Sequence, residues 1–145
     1  MNENIEFLEY IYKTCDMGVK ASEKLLNVLK EKDNKIKKDL EKYLKEYEKY
    51  VKKSEKILKK YKVEPKTIGP MADIMSSFNI KMEVLQDNSD AKIADMLIKG
   101  FTCGIVDTEK RLKNYVKEID KDIEHLGKEL LDFQKEQTET LRTYL

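Results

Sequence analysis

The sequence predicts an all-α fold, a four-helix bundle made of two antiparallel hairpins with a short extra helix in the crossover between them. Three observations predict it. Apolar residues recur at alternating spacings of three and four through four long segments, the period of a single helix face. Charged residues make up 39% of the 145-residue chain, with only five glycines and two prolines, which leaves too few turn formers for a β fold. One constant shift of 86 residues also lays the first half of the pattern over the second.

The first predicted helix spans about 3–31 and carries Ile5, Leu8, Tyr12, Cys15, Val19, Ser22, Leu26 and Leu29 on one face. Asp33 or Asn34 offers an N-cap for the second, about 34–62, whose face reads Ile36, Leu40, Tyr43, Tyr47, Tyr50, Ser54, Ile57 and Tyr61. A turn this short makes the pair antiparallel. The stretch VEPKTIGP (63–70) ends the second helix, and Pro70 suits the first turn of a short helix over 70–85 bearing Met71, Ile74, Met75, Phe78, Met82 and Leu85.

DNSD (87–90) breaks that piece and caps the third long helix, about 90–118, with Ala94, Ile98, Phe101, Ile105, Thr108, Leu112, Tyr115 and Ile119 inward. Asp120 is the expected cap of the fourth, about 121–144, which turns Ile123, Leu126, Leu130, Phe133, Gln137 and Tyr144 to the core. The crossover is long enough for the second and third helices to lie parallel. Residues 1–145 are expected to form one domain.

Basic and acidic residues nearly cancel, 29 against 28, so no general attraction to nucleic acid or an anionic surface follows. No run approaches the length of an apolar membrane span, and MNENIEFLEY lacks the features of a signal peptide, so a cytoplasmic protein is expected. Cys15 and Cys103 read as small buried hydrophobes and not as a disulfide pair.

The 86-residue shift pairs Gly18 with Gly104, Val19 with Ile105, Ser22 with Thr108, Leu26 with Leu112, Leu40 with Leu126, Leu44 with Leu130 and Tyr47 with Phe133. This duplicated hairpin with a long crossover resembles the ferritin-like superfamily. The G-V/I-x-x-S/T-E-K-x-L pattern is similar to that of small bacterial proteins related to the spore coat protein F family.

That resemblance implies a place to look for two metal ions: a glutamate at the centre of the first and third helices, and Glu-x-x-His on the second and fourth. The register puts Gly18 beside Tyr47 and Cys15 beside Tyr50. The inward mid-bundle set is then Cys15, Val19, Ser22, Tyr47, Tyr50, Phe101, Ile105, Thr108, Phe133 and Gln137, without a carboxylate or a histidine. The sole histidine, in Asp122-x-x-His125, falls on a solvent-facing phase. Glu23, Glu48, Asp107 and Glu109 flank the seam and are the remaining metal candidates, though helix-surface ion pairing explains them more simply.

Other patterns have plain explanations beside sharper ones. Tyr43, Tyr47, Tyr50 and Tyr61 share one face, which suits a core or dimer seam better than base stacking. Residues 35–62 hold twelve lysines against five acids, the pattern of a solvated face with Glu-Lys pairs. Met71, Met75 and Met82 around Phe78 could meet a hydrophobic partner or cover the bundle. Gly100-x-x-x-Gly104 matches a membrane-helix motif, but Lys99, Asp107 and Lys110 surround it.

The expectation is a non-enzymatic structural or interaction module, spore-associated or stress-associated, with no catalytic residue, cofactor or metal. Its partner would be a second copy or another protein, met through Tyr43, Tyr47, Tyr50, Met71, Met75, Phe78 and Met82. Gly18 and Gly104 would let the first and third helices cross closely. The alternatives are a residual metal-binding oxidoreductase or metal store using Glu23, Glu48, Asp107 and Glu109, and a nucleic-acid-associated protein using the lysine-rich second helix.

Overall fold

The computed structural model describes residues 2–65, 88–115 and 117–145, and its regular elements there are four helices. They are α1 (Glu3–Val28), α2 (Lys37–Lys60), α3 (Asp90–Tyr115) and α4 (Lys121–Arg142). The short helix expected over 70–85, with Met71, Met75, Phe78 and Met82, lies outside the described residues.

Local chemistry fixes the helix ends. The Asn2 side chain accepts the Asn4 N–H at 2.8 Å and starts α1, with Glu3 and Glu6 favourably placed in the first turn. Ser89 Oγ accepts the Lys92 N–H at 3.3 Å at the start of α3. At the end of α2, the Val63 N–H bonds Leu58 O at 3.1 Å and the Lys62 N–H bonds Lys59 O at 3.0 Å, a Schellman closure. Lys62 takes the left-handed position at φ 60, where glycine is usual, so the helix stops before Pro65 is reached.

Two expected caps act differently. α2 starts at Lys37 without a capping side chain of its own, so neither Asp33 nor Asn34 fills that role. The Asp90 carboxylate from the other hairpin takes the Lys35 N–H at 3.1 Å, the Ile36 N–H at 3.5 Å and Asn34 Nδ2 at 2.8 Å. Asp120 holds the capping position of α4, but its carboxylate accepts the Tyr61 hydroxyl at 2.6 Å instead of a helix N–H.

These contacts also give the topology. Helices α1 and α2 pack as one antiparallel hairpin, α3 and α4 as another. At one end Asn34 meets Asp90, and the Tyr144 hydroxyl donates to Asp39. At the other, the Asp120 N–H donates to Asn4 Oδ1 at 2.8 Å and the Tyr115 hydroxyl to Glu6 at 2.9 Å. Helix α2 therefore runs parallel to α3, and α1 parallel to α4.

The core is continuous from Phe7, Leu8 and Ile11 through Tyr47 and Phe101 to Leu130 and Leu141. Fully burying one such large side chain contributes about 1.5–3 kcal/mol. Along α2 and α4 the buried face follows the expected stripe, except that Ile57, Tyr61 and Tyr144 are only half-buried. Along α1 it is rotated: Leu8, Cys15, Ser22 and Leu29 are shared, but Phe7, Ile11, Gly18 and Leu25 flank them in place of Ile5, Tyr12, Val19 and Leu26. Both flanks are apolar, so period alone could not choose; packing against α4 chose. Helix α3 likewise buries Ile93, Met96 and Leu97 while Ile98 and Ile105 are half-buried.

Three interior glycines leave room for particular side chains. A Cβ on Gly18 would stand 2.6 Å from Tyr47 Cδ2 and Cε2, and one on Gly104 would stand 3.1 Å from Gln134 Nε2. The space at both therefore belongs to the hairpin partner, not to an α1/α3 crossing. The glycine that joins the hairpins is Gly127, whose Cβ would meet Phe7 at 2.6 Å and Leu112 at 3.0 Å.

Candidate functional site

The bundle centre is where the resemblance noted in the sequence implies a metal site. Gly18 admits the Tyr47 ring, which lies 5.2 Å from Phe133 and 6.5 Å from Phe101, centroid to centroid. The Tyr47 hydroxyl donates to Gln137 Oε1 at 3.1 Å. Burial holds the Tyr47 hydroxyl and the adjacent Cys15 thiol far above their ordinary pKa values, so both stay neutral. Neither is an activated nucleophile or an anionic ligand.

Three other inward hydroxyls already have partners. Ser54 Oγ donates to Tyr50 O at 2.8 Å, and Thr138 Oγ1 to Gln134 O at 3.1 Å. Thr108 Oγ1 shares a 2.8 Å hydrogen bond with the Tyr10 hydroxyl. Among the described residues the buried polar side chains are Asn, Ser, Thr and Gln, and no ionisable carboxylate, imidazole or amine is among them. A pair of hard metal ions needs bridging carboxylates. This centre does not fit them.

The flanking carboxylates are not gathered either. Glu23, Glu48 and Asp107 are exposed, Asp107 lying 3.5 Å from Arg111 Nε; Glu109 is half-buried and 3.6 Å from Lys135. Among the described residues, no three His, Cys, Asp or Glu side chains are grouped so as to hold a metal ion. His125 faces solvent as expected and pairs with Glu129 at 2.9 Å.

Two readings change with the structure. Tyr43, Tyr47 and Tyr50 are each 3% exposed, so the face considered for an interaction surface is the inner face of α2. Cys103 is exposed, unlike Cys15, because it lies on the far side of α3 from the Phe101/Thr108/Leu112 stripe. No described helix is long and apolar enough to cross a membrane, so Gly100 and Gly104 do not sit in a span.

Two grooves open at mid-length. Between α1 and α3, Tyr10, Thr14, Met17, Gly100, Cys103, Gly104, Asp107 and Gln134 line about 190 Å³. The Arg111 guanidinium lies over the Tyr10 ring, 4.2 Å from its centroid. Between α2 and α4, a groove of about 340 Å³ is lined by Lys42, Tyr43, Glu46, Tyr50, Glu129, Asp132, Phe133, Glu136, Gln137 and Thr140. Helical phase alone brings Asp132 and Glu136 to one side of α4; their meeting with α2 across a groove was not legible in sequence. No protein family, curated protein or solved structure matches this chain.

Proposed function

We propose that the protein is a ferritin-like bundle that has no metal chemistry and works as a structural or protein-interaction module. The observation that carries this reading is the composition of its centre, where Tyr47, Phe101, Phe133 and Gln137 fill the place of a carboxylate-lined cavity. The partner is a second copy or another protein. Among the described residues only Val106 and Leu145 are large hydrophobics with substantial exposure, so a contact made through those residues crosses charged helix surfaces and weakens with salt, while Met71, Met75, Phe78 and Met82 remain the proposed apolar face. A single domain, a cytoplasmic and spore-associated or stress-associated setting, and a place in the ferritin-like superfamily belong to the same proposal and rest on the architectural resemblance.

The test combines metal analysis with sedimentation. Untagged protein should carry far less than one iron or manganese per chain and should show concentration- and salt-dependent association. Near-stoichiometric metal, or a strict monomer in low salt that captures no protein partner, would contradict the reading.

A further inference from the structure

Helix α3 carries a second periodic face that the bundle does not use. Asp95, Lys99, Thr102, Val106, Glu109 and Lys113 recur at alternating spacings of four and three, the period of a helix-pairing seam, on the side away from the buried Phe101/Thr108/Leu112 stripe. All are exposed except Glu109, which is half-buried and lies 3.6 Å from Lys135. Val106, at the middle of the seam, is 48% exposed. The run that ends on it, GFTCGIV (100–106), is the longest stretch without a charged residue among the described residues. One exposed valine alone needs no explanation, but the order of the charges around it does.

From its N-terminal end the seam reads acid, base, two uncharged residues, acid, base. Turned end for end it reads base, acid, two uncharged residues, base, acid. A second copy of α3 laid antiparallel therefore sets an opposite charge against every charge, whereas a parallel pair in register would set like against like. With a two-fold axis midway between Thr102 and Val106, Asp95 faces Lys113 of the second copy, Lys99 faces its Glu109, and Thr102 faces its Val106. Each of these contacts then occurs twice. The pair already present, Asp95 with Lys99 at 3.2 Å, is exposed on both sides and contributes little by itself. The lysine-rich outer face of α2 offers no such match, because it would repel its own copy.

We propose that the outer face of α3 docks on the same face of a second copy of this chain, antiparallel about a two-fold axis beside Val106. The inference rests on the reading of the protein as an interaction module, and it gives that module one partner and one face. Because both chains use the same patch, association closes at the dimer. With a single apolar layer the interface is small, and a Kd of about 100 µM at low salt is expected. Cys103 is exposed beside Thr102 on the edge of the seam and comes near its own copy across the axis, while Cys15 is buried.

The test is sedimentation of the full chain at low salt, with D95K and K113E made separately. Each variant sets like charges against each other at both ends of the seam and should weaken dimerisation by about tenfold. An equimolar mixture of the two should dimerise as the unaltered chain does, since each supplies the charge that the other lacks. Such rescue needs two folded chains, so a folding defect cannot imitate it. A thiol crosslinker spanning about 10 Å, the separation of packed helix axes, should join two chains of the unaltered protein and fail with Cys103→Ser. A monomer at about 1 mM, equal association of D95K, K113E and the unaltered chain, or a mixture no stronger than its components would overturn the proposal. Equal association would do so while leaving the interaction-module reading in place.

Discussion

Replacing Gly18 by alanine should separate packing from helix propensity. On propensity alone the change stabilises a helix interior by about 1 kcal/mol. In this bundle the added methyl would stand 2.6–2.7 Å from three atoms of the Tyr47 ring. The ring must retreat by about 0.8 Å to restore ordinary contact, against Phe133 and Phe101 on its other side. Overpacking of this kind costs about 1–3 kcal/mol. Loss of the Tyr47 to Gln137 hydrogen bond would add about 1–3 kcal/mol.

The expected net loss is about 2 kcal/mol, which lowers Tm by about 6 °C for a chain of this length. Gly104→Ala is the internal control, since its methyl meets only the amide of Gln134 at 3.1 Å, and it should be neutral or stabilising by up to about 1 kcal/mol. Gly127→Ala, against Phe7 and Leu112, should fall with Gly18→Ala. Thermal and urea unfolding followed by circular dichroism would measure all three. If Gly18→Ala raised the midpoint as much as Gly104→Ala, the account of the centre as a filled, tightly packed layer would be refuted.

Lys62→Gly should stabilise by about 1 kcal/mol, because lysine bears the left-handed Schellman position at φ 60; the same unfolding curves check it, and a loss would mean that the Lys62 side chain contributes more than its backbone strain costs. Asp90→Ala should cost about 1–2 kcal/mol and speed amide exchange at Lys35 and Ile36, whose N–H groups lose their acceptor; unchanged exchange there would contradict the latch between hairpins. All eight tyrosine hydroxyls are raised, by burial first for Tyr10, Tyr12, Tyr43, Tyr47, Tyr50 and Tyr144, and by a hydrogen-bonded carboxylate first for Tyr61 and Tyr115; Tyr61 and Tyr144 are pushed up to about 12. The folded state therefore favours the protonated phenol, so this stabilisation is complete below about pH 10 and is lost as pH rises toward 12. Phenolate absorbance should grow together with loss of helicity, and ionisation of most tyrosines in a fully helical protein would contradict the assignment.

The helices and their hairpin register were legible because each has a one-sided apolar stripe and the connection from α1 to α2 is short. The expected neighbours Gly18 and Tyr47 do meet. Choosing the flank of α1 was beyond the pattern, since Ile5, Tyr12 and Val19 are as apolar as Phe7, Ile11 and Leu25; the decision lies in Gly127, which interrupts the 86-residue repeat opposite Glu41 and admits Phe7. The caps were misjudged where an acceptor came from a distant segment, as Asp90 does for α2.

The central claim is that the middle of this bundle is closed to metal by its own side chains. It is tested most directly by titrating Mn²⁺ into isotope-labelled protein and mapping paramagnetic broadening residue by residue. Weak, non-saturating broadening is expected at exposed carboxylates, with the signals of Tyr47, Thr108, Phe133 and Gln137 retained. Saturable broadening centred on those four residues would contradict it.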